Sequence, residues 1–411
     1  MISAIAIGFS ALSCLIWVYL LLFRGQFWRT DQHLEAMAEP SQIEPESGQE
    51  YPAIHVVIPA RDEADSIATT VRSLLNQDYP GSLSILLVDD HSTDGTRDVA
   101  AGAAQGLMSS ERATRSFEVL QAQPLPPGWT GKLWALDQGT RAVLGRSPQP
   151  QFILLSDADI AHDPQNLSRL VAKAQQDSLD LASIMVKLRC ESVWEQMLIP
   201  AFVFFFEKLY PFRWVNNPSR ATAAAAGGCI LIRSTALQRI GGIATLRDAL
   251  IDDCTLAHQV KHSGFDKTQF RPIWLGLSSR TSSLRPYPDL KTVWDMVART
   301  AYTQLNYSPL LLVGTLLGMA LVYLVAPVGL IGGLIVGQPA IAILSLATWL
   351  MMAIAYWPIL RFYRCSPLWA AGLPAIASLY TLMTLDSALR HWQGRGGQWK
   401  GRTYAAPPPA P

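Results

Sequence analysis

Four acidic clusters sit where an apolar run ends. They are His55-Val-Val-Ile-Pro-Ala-Arg-Asp-Glu63, Leu86-Leu-Val-Asp-Asp-His-Ser-Thr-Asp-Gly95, Leu154-Leu-Ser-Asp-Ala-Asp159 and Ile251-Asp-Asp-Cys-Thr-Leu-Ala-His258. The adjacent pair Asp89-Asp90 can accept from a nucleobase N–H or a ribose hydroxyl, whereas Asp94-Gly95 is turn or cap chemistry. Asp157 and Asp159, two residues apart, can hold a hard divalent cation whose other ligands come from a diphosphate. The same spacing also serves as a turn or cap. Of Asp252 and Asp253, one can act as a general base and the other as a positioning group, or both can simply bias a helix N-terminus. Gly131-Lys132 can offer an ammonium to a phosphate or a base, although the first glycine of a phosphate loop is missing. Gly227-Gly228 and Gly241-Gly242 allow close backbone approach to a ligand or to a neighbouring strand.

These residues need a scaffold that presents strand ends. Residues 54–58, 85–88 and 152–155 read as strands, and 64–75 and 163–174 as helices. Residues 102–116 and 145–150 read as surface connections. The β-α-β-α rhythm over 51–285 predicts a largely parallel sheet covered by helices, and such sheets bind ligands at the carboxyl ends of their strands. Asp163-Pro164 reads as the cap of the following helix.

The whole chain has 411 residues, of which 50% are apolar and 16% charged, against roughly 25% charged in an average soluble domain. This excludes a disordered chain, a collagen and a coiled coil. The net charge of +1 gives no reason to expect a nucleic-acid partner. The five cysteines, Cys14, Cys190, Cys229, Cys254 and Cys365, are scattered and odd in number, which predicts reduced, packed thiols rather than disulfides or a zinc cluster.

Charge is concentrated in the middle of the chain. Residues 1–23 lack Asp, Glu, Lys and Arg and are followed by Arg24 and Arg29, which predicts an uncleaved anchor (1–24) with its basic flank in the cytoplasm. Residues 25–50 read as a polar linker. Residues 300–360 are again uncharged, enough for two spans turning at Gly337-Gln338-Pro339, and 365–385 is a further uncharged run. The later regions read as an interface segment over 286–308, two or three transmembrane helices over 309–388 and a polar tail over 389–411. Positive-inside counting conflicts at this end. Four crossings place the basic 361–364 loop and the basic tail on opposite sides, while an interfacial 365–385 places both inside; four crossings is the expectation here. The aromatic stretch 193–215 suits a helix lying in the membrane interface, or a buried core helix.

Taken in order, Val57-Ile-Pro-Ala-Arg-Asp-Glu63, Val88-Asp-Asp-His-Ser-Thr-Asp94, Gly131-Lys132, Asp157-Ala-Asp159 and Asp252-Asp253 resemble the family-2 inverting glycosyltransferases of the GT-A fold, over about residues 51–265. Ser283-Leu-Arg-Pro-Tyr287 and Met296-Val-Ala-Arg-Thr-Ala-Tyr-Thr-Gln-Leu305 look like the hopene-associated subgroup. The resemblance implies a Rossmann-like α/β catalytic domain, mainly parallel, with N- and C-terminal transmembrane helices. It implies a nucleotide-diphospho sugar donor, with Mg2+ or Mn2+ as cofactor. By match, Pro59, Arg61, Glu63, Asp89, Asp90 and Lys132 would line the nucleotide, Asp157 would touch ribose or metal, and Asp159 would hold the metal. Asp253 would be the base, Asp252 its partner, and Arg299 would meet the diphosphate at the membrane face.

Two departures stand out. The usual Glu-Asp of the base motif is Asp252-Asp253, and Arg299 is followed by Thr300 where processive members carry Trp. The missing Trp favours single transfer of a sugar; the apolar spans, the aromatic stretch and the subgroup resemblance imply a lipid acceptor, hopanoid or related, and a multi-pass protein of the inner (plasma) membrane with its catalytic domain in the cytoplasm. A processive polysaccharide synthase and a non-catalytic membrane scaffold that binds a nucleotide sugar are the alternatives.

Overall fold

A computed structural model describes residues 2–36, 51–107, 114–264 and 270–395, together with the short antiparallel pair 398–399 and 402–403. The chain divides into two units.

The first unit comprises residues 32–189 and 214–286, with the tail beyond 397. The apolar runs become strands β1 (Ile54–Ala60), β2 (Leu83–Asp89), β3 (Arg115–Gln121) and β4 (Phe152–Ser156), followed by β5 (Ile160–Ala161), β6 (Leu181–Lys187), β7 (Cys229–Arg233) and β8 (Ile273–Ser283). They form one sheet in the order β3-β2-β1-β4-β7-β6-β8-β5. The β3 to β4 half is parallel, as expected. The rest adds two reversed strands to a sheet that is otherwise parallel, as expected: β7 runs antiparallel to both β4 and β6, β6 and β8 are parallel, and β5 closes antiparallel on β8. The sheet is mixed.

Every residue of β4 is buried, and so is all of β1 except His55, because helices cover both faces. The helix Ala64–Leu75 has the expected bounds and buries Ile67, Val71, Leu74 and Leu75 at helical spacing. The helix Gly131–Leu144 begins where the Thr130 hydroxyl accepts the Leu133 N–H at 3.3 Å. It lies close against β1 and β2 through Gly139, where a Cβ would sit 2.5 Å from Val57 Cγ1 and 2.8 Å from Val88 Cγ2. The second expected helix starts at Asn166 rather than 163; Asp163 instead accepts the Gln165 N–H in the preceding turn. The expected connection over 102–116 is shorter, because a helix runs to Gln105 and β3 begins at Arg115.

The stretch expected as a linker is structured over its first part. Gln32 accepts the Leu277 N–H at 2.7 Å, Leu34 is buried, and Glu35 Oε1 accepts from the Ser278 hydroxyl at 2.6 Å and the Ser279 N–H at 3.0 Å. This strap runs along β8 and passes Gly276, where a Cβ would lie 2.9 Å from the Gln32 carbonyl oxygen. Polar composition hid it, because its hold is main-chain pairing plus one apolar plug. The rest of the expected linker, 37–50, lies outside the described residues.

The second unit comprises residues 1–31, 190–213 and 287–397. Three of its helices are long and apolar enough to cross a membrane: 3–22, Pro309–Ile335 and Pro339–Tyr363. They meet through small residues. Ser10 and Ser345 hydroxyls are 3.3 Å apart, and a Cβ on Gly329 would come within 2.4 Å of the Ser345 hydroxyl. A π-turn at Ala320–Leu324 interrupts the second of these helices, and the buried Trp17 indole N–H donates to the Val322 carbonyl there at 2.8 Å. The aromatic stretch forms the helix Val193–Leu209, started by a capping box between Ser192 and Glu195. It buries one face, including Leu198, Val203 and Phe204, and leaves Val193, Trp194 and Leu209 exposed at its ends. Of the run 365–385, residues 373–385 fall in the helix Leu373–Trp392, which carries Asp386 and Arg390 and is not one of the three.

Candidate active site

The acidic clusters come together in the sheet unit. Pro59, Lys132, Asp157, Gly227, Asp252 and Asp253 line one cleft of about 350 Å³ at the carboxyl ends of β1 and β4. Lys132, one residue into its helix, reaches Asp157 Oδ1 at 2.8 Å and Asp252 Oδ2 at 3.5 Å. Burial works against its ammonium, but Asp157 and Asp252, with Asp253 behind them, outweigh this and hold its pKa above the ordinary lysine value. The cation is therefore fixed between the strand-end acid and the acids of the helix Asp252–Lys261.

Asp253 is held by two backbone donors. Its Oδ2 accepts from the Gly227 N–H at 2.9 Å and its Oδ1 from the Cys254 N–H at 2.7 Å. Burial, with Asp252 adding to it, pushes the Asp253 pKa up to about 6, against the opposing pull of Lys132 and these N–H groups. A carboxylate tuned toward neutrality in a cleft suits proton abstraction. Gly227 is the site residue that the sequence flagged only as half of a glycine pair. Its missing side chain leaves room for both Lys132 Nζ and Asp253, which a Cβ would approach at 3.4 and 3.5 Å.

Asp159 lies one turn beyond Asp157. Burial raises its pKa to about 6, and Asp157 and Glu63 add to the rise. Three carboxylates crowd one another there, and oxygen donors of this kind suit Mg2+ or Mn2+. Among the described residues no three acidic, His or Cys side chains form a ready-made cage. Two carboxylates with open positions for phosphate oxygens match how magnesium is usually held. The loop is braced from below: the Ser66 and Thr70 hydroxyls donate to the Ala158 carbonyl at 3.2 and 2.8 Å. The Leu284 N–H donates to the Asp159 carbonyl at 2.7 Å, and the neighbouring Arg285 favours the charged form of Asp159. Arg285 was legible only as part of the 283–287 run.

Asp89 and Asp90 end β2 and are both buried. Arg61 donates to the Asp90 carbonyl at 2.6 Å and lies 3.7 Å from its carboxylate. Asp94 does more than turn the chain. It accepts from the Thr96 N–H at 3.0 Å and from the Ala64 N–H at 2.9 Å, so it fastens the loop after β2 to the helix after β1. Glu63 is drawn into the same latch through the Thr96 hydroxyl, at 2.8 Å from its N–H. Arg299 follows the helix Leu290–Ala298 in the other unit and is exposed.

A mixed sheet of this order, with acids and one lysine at its strand ends, has a GT-A-like α/β fold. Residues 55–241 match the family model described as glycosyl transferase family 2. The match ends before Asp252. An N-acetylglucosaminyltransferase of Mesorhizobium japonicum is 28% identical over 144 residues, covering 35% of this chain and 30% of that protein. The chain thus spans about a third of the length of that curated relative. Among solved structures, the mannosyltransferase PcManGT from Pyrobaculum calidifontis, in complex with GDP-Man and Mn2+, is similar at a TM-score of 0.52 and 18% identity. That likeness covers 95% of this chain and 99% of that one. The Mycobacterium tuberculosis glucosyl-3-phosphoglycerate synthase in complex with Mn2+, UDP-glucose and phosphoglyceric acid matches at a TM-score of 0.38 and 17% identity, over 62% of this chain and 79% of that one.

Proposed function

We propose that this protein transfers one sugar, with inversion, from a nucleotide-diphospho sugar to the hydroxyl of a lipid acceptor, of hopanoid or related type. The observation that carries the reading is Asp253, a half-buried carboxylate with a raised pKa, held by two N–H groups beside the Lys132–Asp157 pair. In this reading the acceptor hydroxyl gives its proton to Asp253 as its oxygen forms a bond to the anomeric carbon. The bond from that carbon to the diphosphate breaks on the opposite face, and the nucleoside diphosphate leaves with the electron pair. One displacement inverts the centre, so one base suffices. Lys132 supplies positive charge on the leaving side, Asp252 keeps Lys132 in register, and Asp89, Asp90, Arg61, Glu63 and Pro59 form the nucleotide wall. Asp157 and Asp159 are the residues to hold Mg2+ or Mn2+, which would neutralise charge on the departing diphosphate. PcManGT, solved with GDP-Man and Mn2+, supports the donor class and the metal.

The lipid acceptor is supported by the three apolar helices carried on the same chain. The direct test uses full-length protein, a total membrane lipid extract, Mn2+ and labelled UDP- and GDP-sugars. Label is expected in a discrete organic-soluble product. Label in a lengthening polymer would favour a processive synthase, and donor binding without transfer to any lipid would favour the scaffold reading.

The proposal includes three crossings, with the catalytic unit in the cytoplasm of a cell whose inner membrane holds the protein. After Tyr363 the chain turns back along its own span. The Trp349 indole N–H donates to the Ala371 carbonyl at 3.0 Å, fourteen residues before that span ends, a return of about 20 Å. The helix Leu373–Trp392 then runs back, and Arg390 pairs with Asp295 at 2.8 Å while the Trp294 indole donates to Asp386 at 2.7 Å. Asp295 precedes the Pro309–Ile335 span, whose start lies on the same side as the end of Pro339–Tyr363. A re-entrant segment places Arg361, Arg364, Arg390 and Arg395 on one side and removes the conflict in positive-inside counting. A green fluorescent protein fused after Arg395 is expected to fluoresce and an alkaline phosphatase there to be inactive; the reverse pattern would restore the fourth crossing.

A further inference from the structure

The helix that begins with Asp252 and Asp253 ends with Lys261, a lysine with no exposed surface. A buried ammonium ordinarily needs a carboxylate or full hydrogen bonding. Here the acceptors are four main-chain carbonyls: Val215 at 2.6 Å, Thr222 at 2.8 Å, Asn217 at 3.1 Å and Trp214 at 3.4 Å. All four belong to one segment, which has no regular structure between Val215 and β7 apart from turns. Its carbonyls have no ladder to join, and a point charge on a long stem, with three donors, can gather them where a planar fork could not.

The same segment runs on through four buried alanines, Ala223 to Ala226, to Gly227. There the Ala226 N–H donates to the Ser183 hydroxyl at 2.9 Å and the Gly227 N–H donates to Asp253. The helix Asp252–Lys261 is therefore fastened to one stretch of chain at both ends, by Gly227 at its first turn and by the Lys261 ammonium at its last. The two fastenings are about 12 Å apart along the helix axis. The Cys254 thiol, 3.6 Å from the Ala225 carbonyl, belongs to the first fastening; with that end alone the helix and the segment can pivot about it, and the carboxylate moves with them.

We propose that Lys261 is a positioning residue for the transfer reaction: by gathering the carbonyls of residues 214–222 it sets the path of the segment that carries Gly227, and through Gly227 it fixes where the Asp253 carboxylate points. The inference rests on Asp253 being the base. A misplacement of order 1 Å at a reacting group can lower rate about 100-fold, so the effect belongs in kcat and not in donor binding.

The test compares full-length wild type with Lys261→Met, which keeps the stem and removes the donors. Amide hydrogen exchange is read over 214–227, with turnover and the affinity for the Mn2+ complex of the donor's nucleoside diphosphate measured in parallel. Exchange at Ala226 and Gly227 is expected to quicken at least tenfold. Exchange in the helices Ala64–Leu75 and Gly131–Leu144 should be unchanged, kcat should fall at least tenfold, and nucleotide affinity should stay within twofold. Unchanged exchange at 226–227, or unchanged kcat, overturns the proposal. So does a proportional loss of turnover and nucleotide binding, which marks a lysine needed only for folding. Should the Met variant not fold, Lys261→Gln, which keeps one pair of donors, is read in the same way with smaller changes in the same direction. Asp253→Asn assayed beside it separates the two claims: near-normal turnover there removes the base reading, whereas the exchange data bear on Lys261 alone.

Discussion

Asp253→Asn is expected to lower kcat by about 10³-fold, within the 10²–10⁴-fold span typical of a lost general base. The amide keeps the shape and one acceptor for the Gly227 or Cys254 N–H, but it cannot take a proton from the acceptor hydroxyl. The wild-type pH profile follows from the same group. Burial and Asp252 raise the Asp253 pKa to about 6, and the working form is the carboxylate, so the rate should climb as pH passes about 6 and level off above it. That acid limb should vanish from the residual rate of the variant. Stability moves the other way. A folded pKa above the ordinary carboxylate value means that folding favours the neutral acid. That contribution is fully present below the ordinary carboxylate value and is lost as pH rises through about 6. Asparagine never charges, so the stability of the variant relative to wild type should improve between pH 5 and pH 8. Thermal melts at the two pH values and a pH–rate profile test both halves, and retention of near-normal turnover would remove Asp253 from the base role.

Asp159→Ala should cost a similar factor, about 10³-fold in kcat/KM, and should abolish the response to added Mn2+ or Mg2+. Several kcal/mol of leaving-group stabilisation is at stake, at 1.36 kcal/mol per tenfold. The crowding of Asp159 by Asp157 and Glu63 gives the physical reason, because mutual repulsion there is relieved by a bound cation. A chelator should bring wild type down to the level of the variant, and the variant should not respond to it. An Asp159→Ala enzyme that kept both its rate and its metal dependence would send the search for the metal ligands elsewhere.

Much of this site was legible because strand-end acids announce themselves. An apolar run stopping at Asp89, Asp157 or Pro59 marks both the strand and the residue it delivers, and the helix Ala64–Leu75 follows from its apolar spacing. Where side chains meet only main chain, the sequence carries no mark. The four carbonyls around Lys261 could belong to any residues, and Gly227 acts through an N–H that every non-proline residue has. The strap along β8 was hidden for the same reason. The direction of β7 was illegible because the long stretch between β6 and β7 carries a helix of the other unit, which no local pattern links to strand polarity. Arg299 was grouped with the acids through resemblance to a family, a link that no local pattern carries; it lies in the helical unit.

The place of β7 between β4 and β6 has a consequence for how the protein can be made. Until residues 229–233 exist, β4 and β6 each present an unpaired edge, the kind of surface on which sheets join to the wrong partner. The gap from the end of β6 to the start of β7 is about 40 residues, or roughly 2–8 s of synthesis at 5–20 residues per second. For that interval β4 presents an open edge, and β6, whose other neighbour β8 comes later still, has no partner strand. A fragment cut anywhere before Arg233 keeps both exposed permanently, so residues 51–189, though contiguous in sequence, are poorly suited to life as a separate piece.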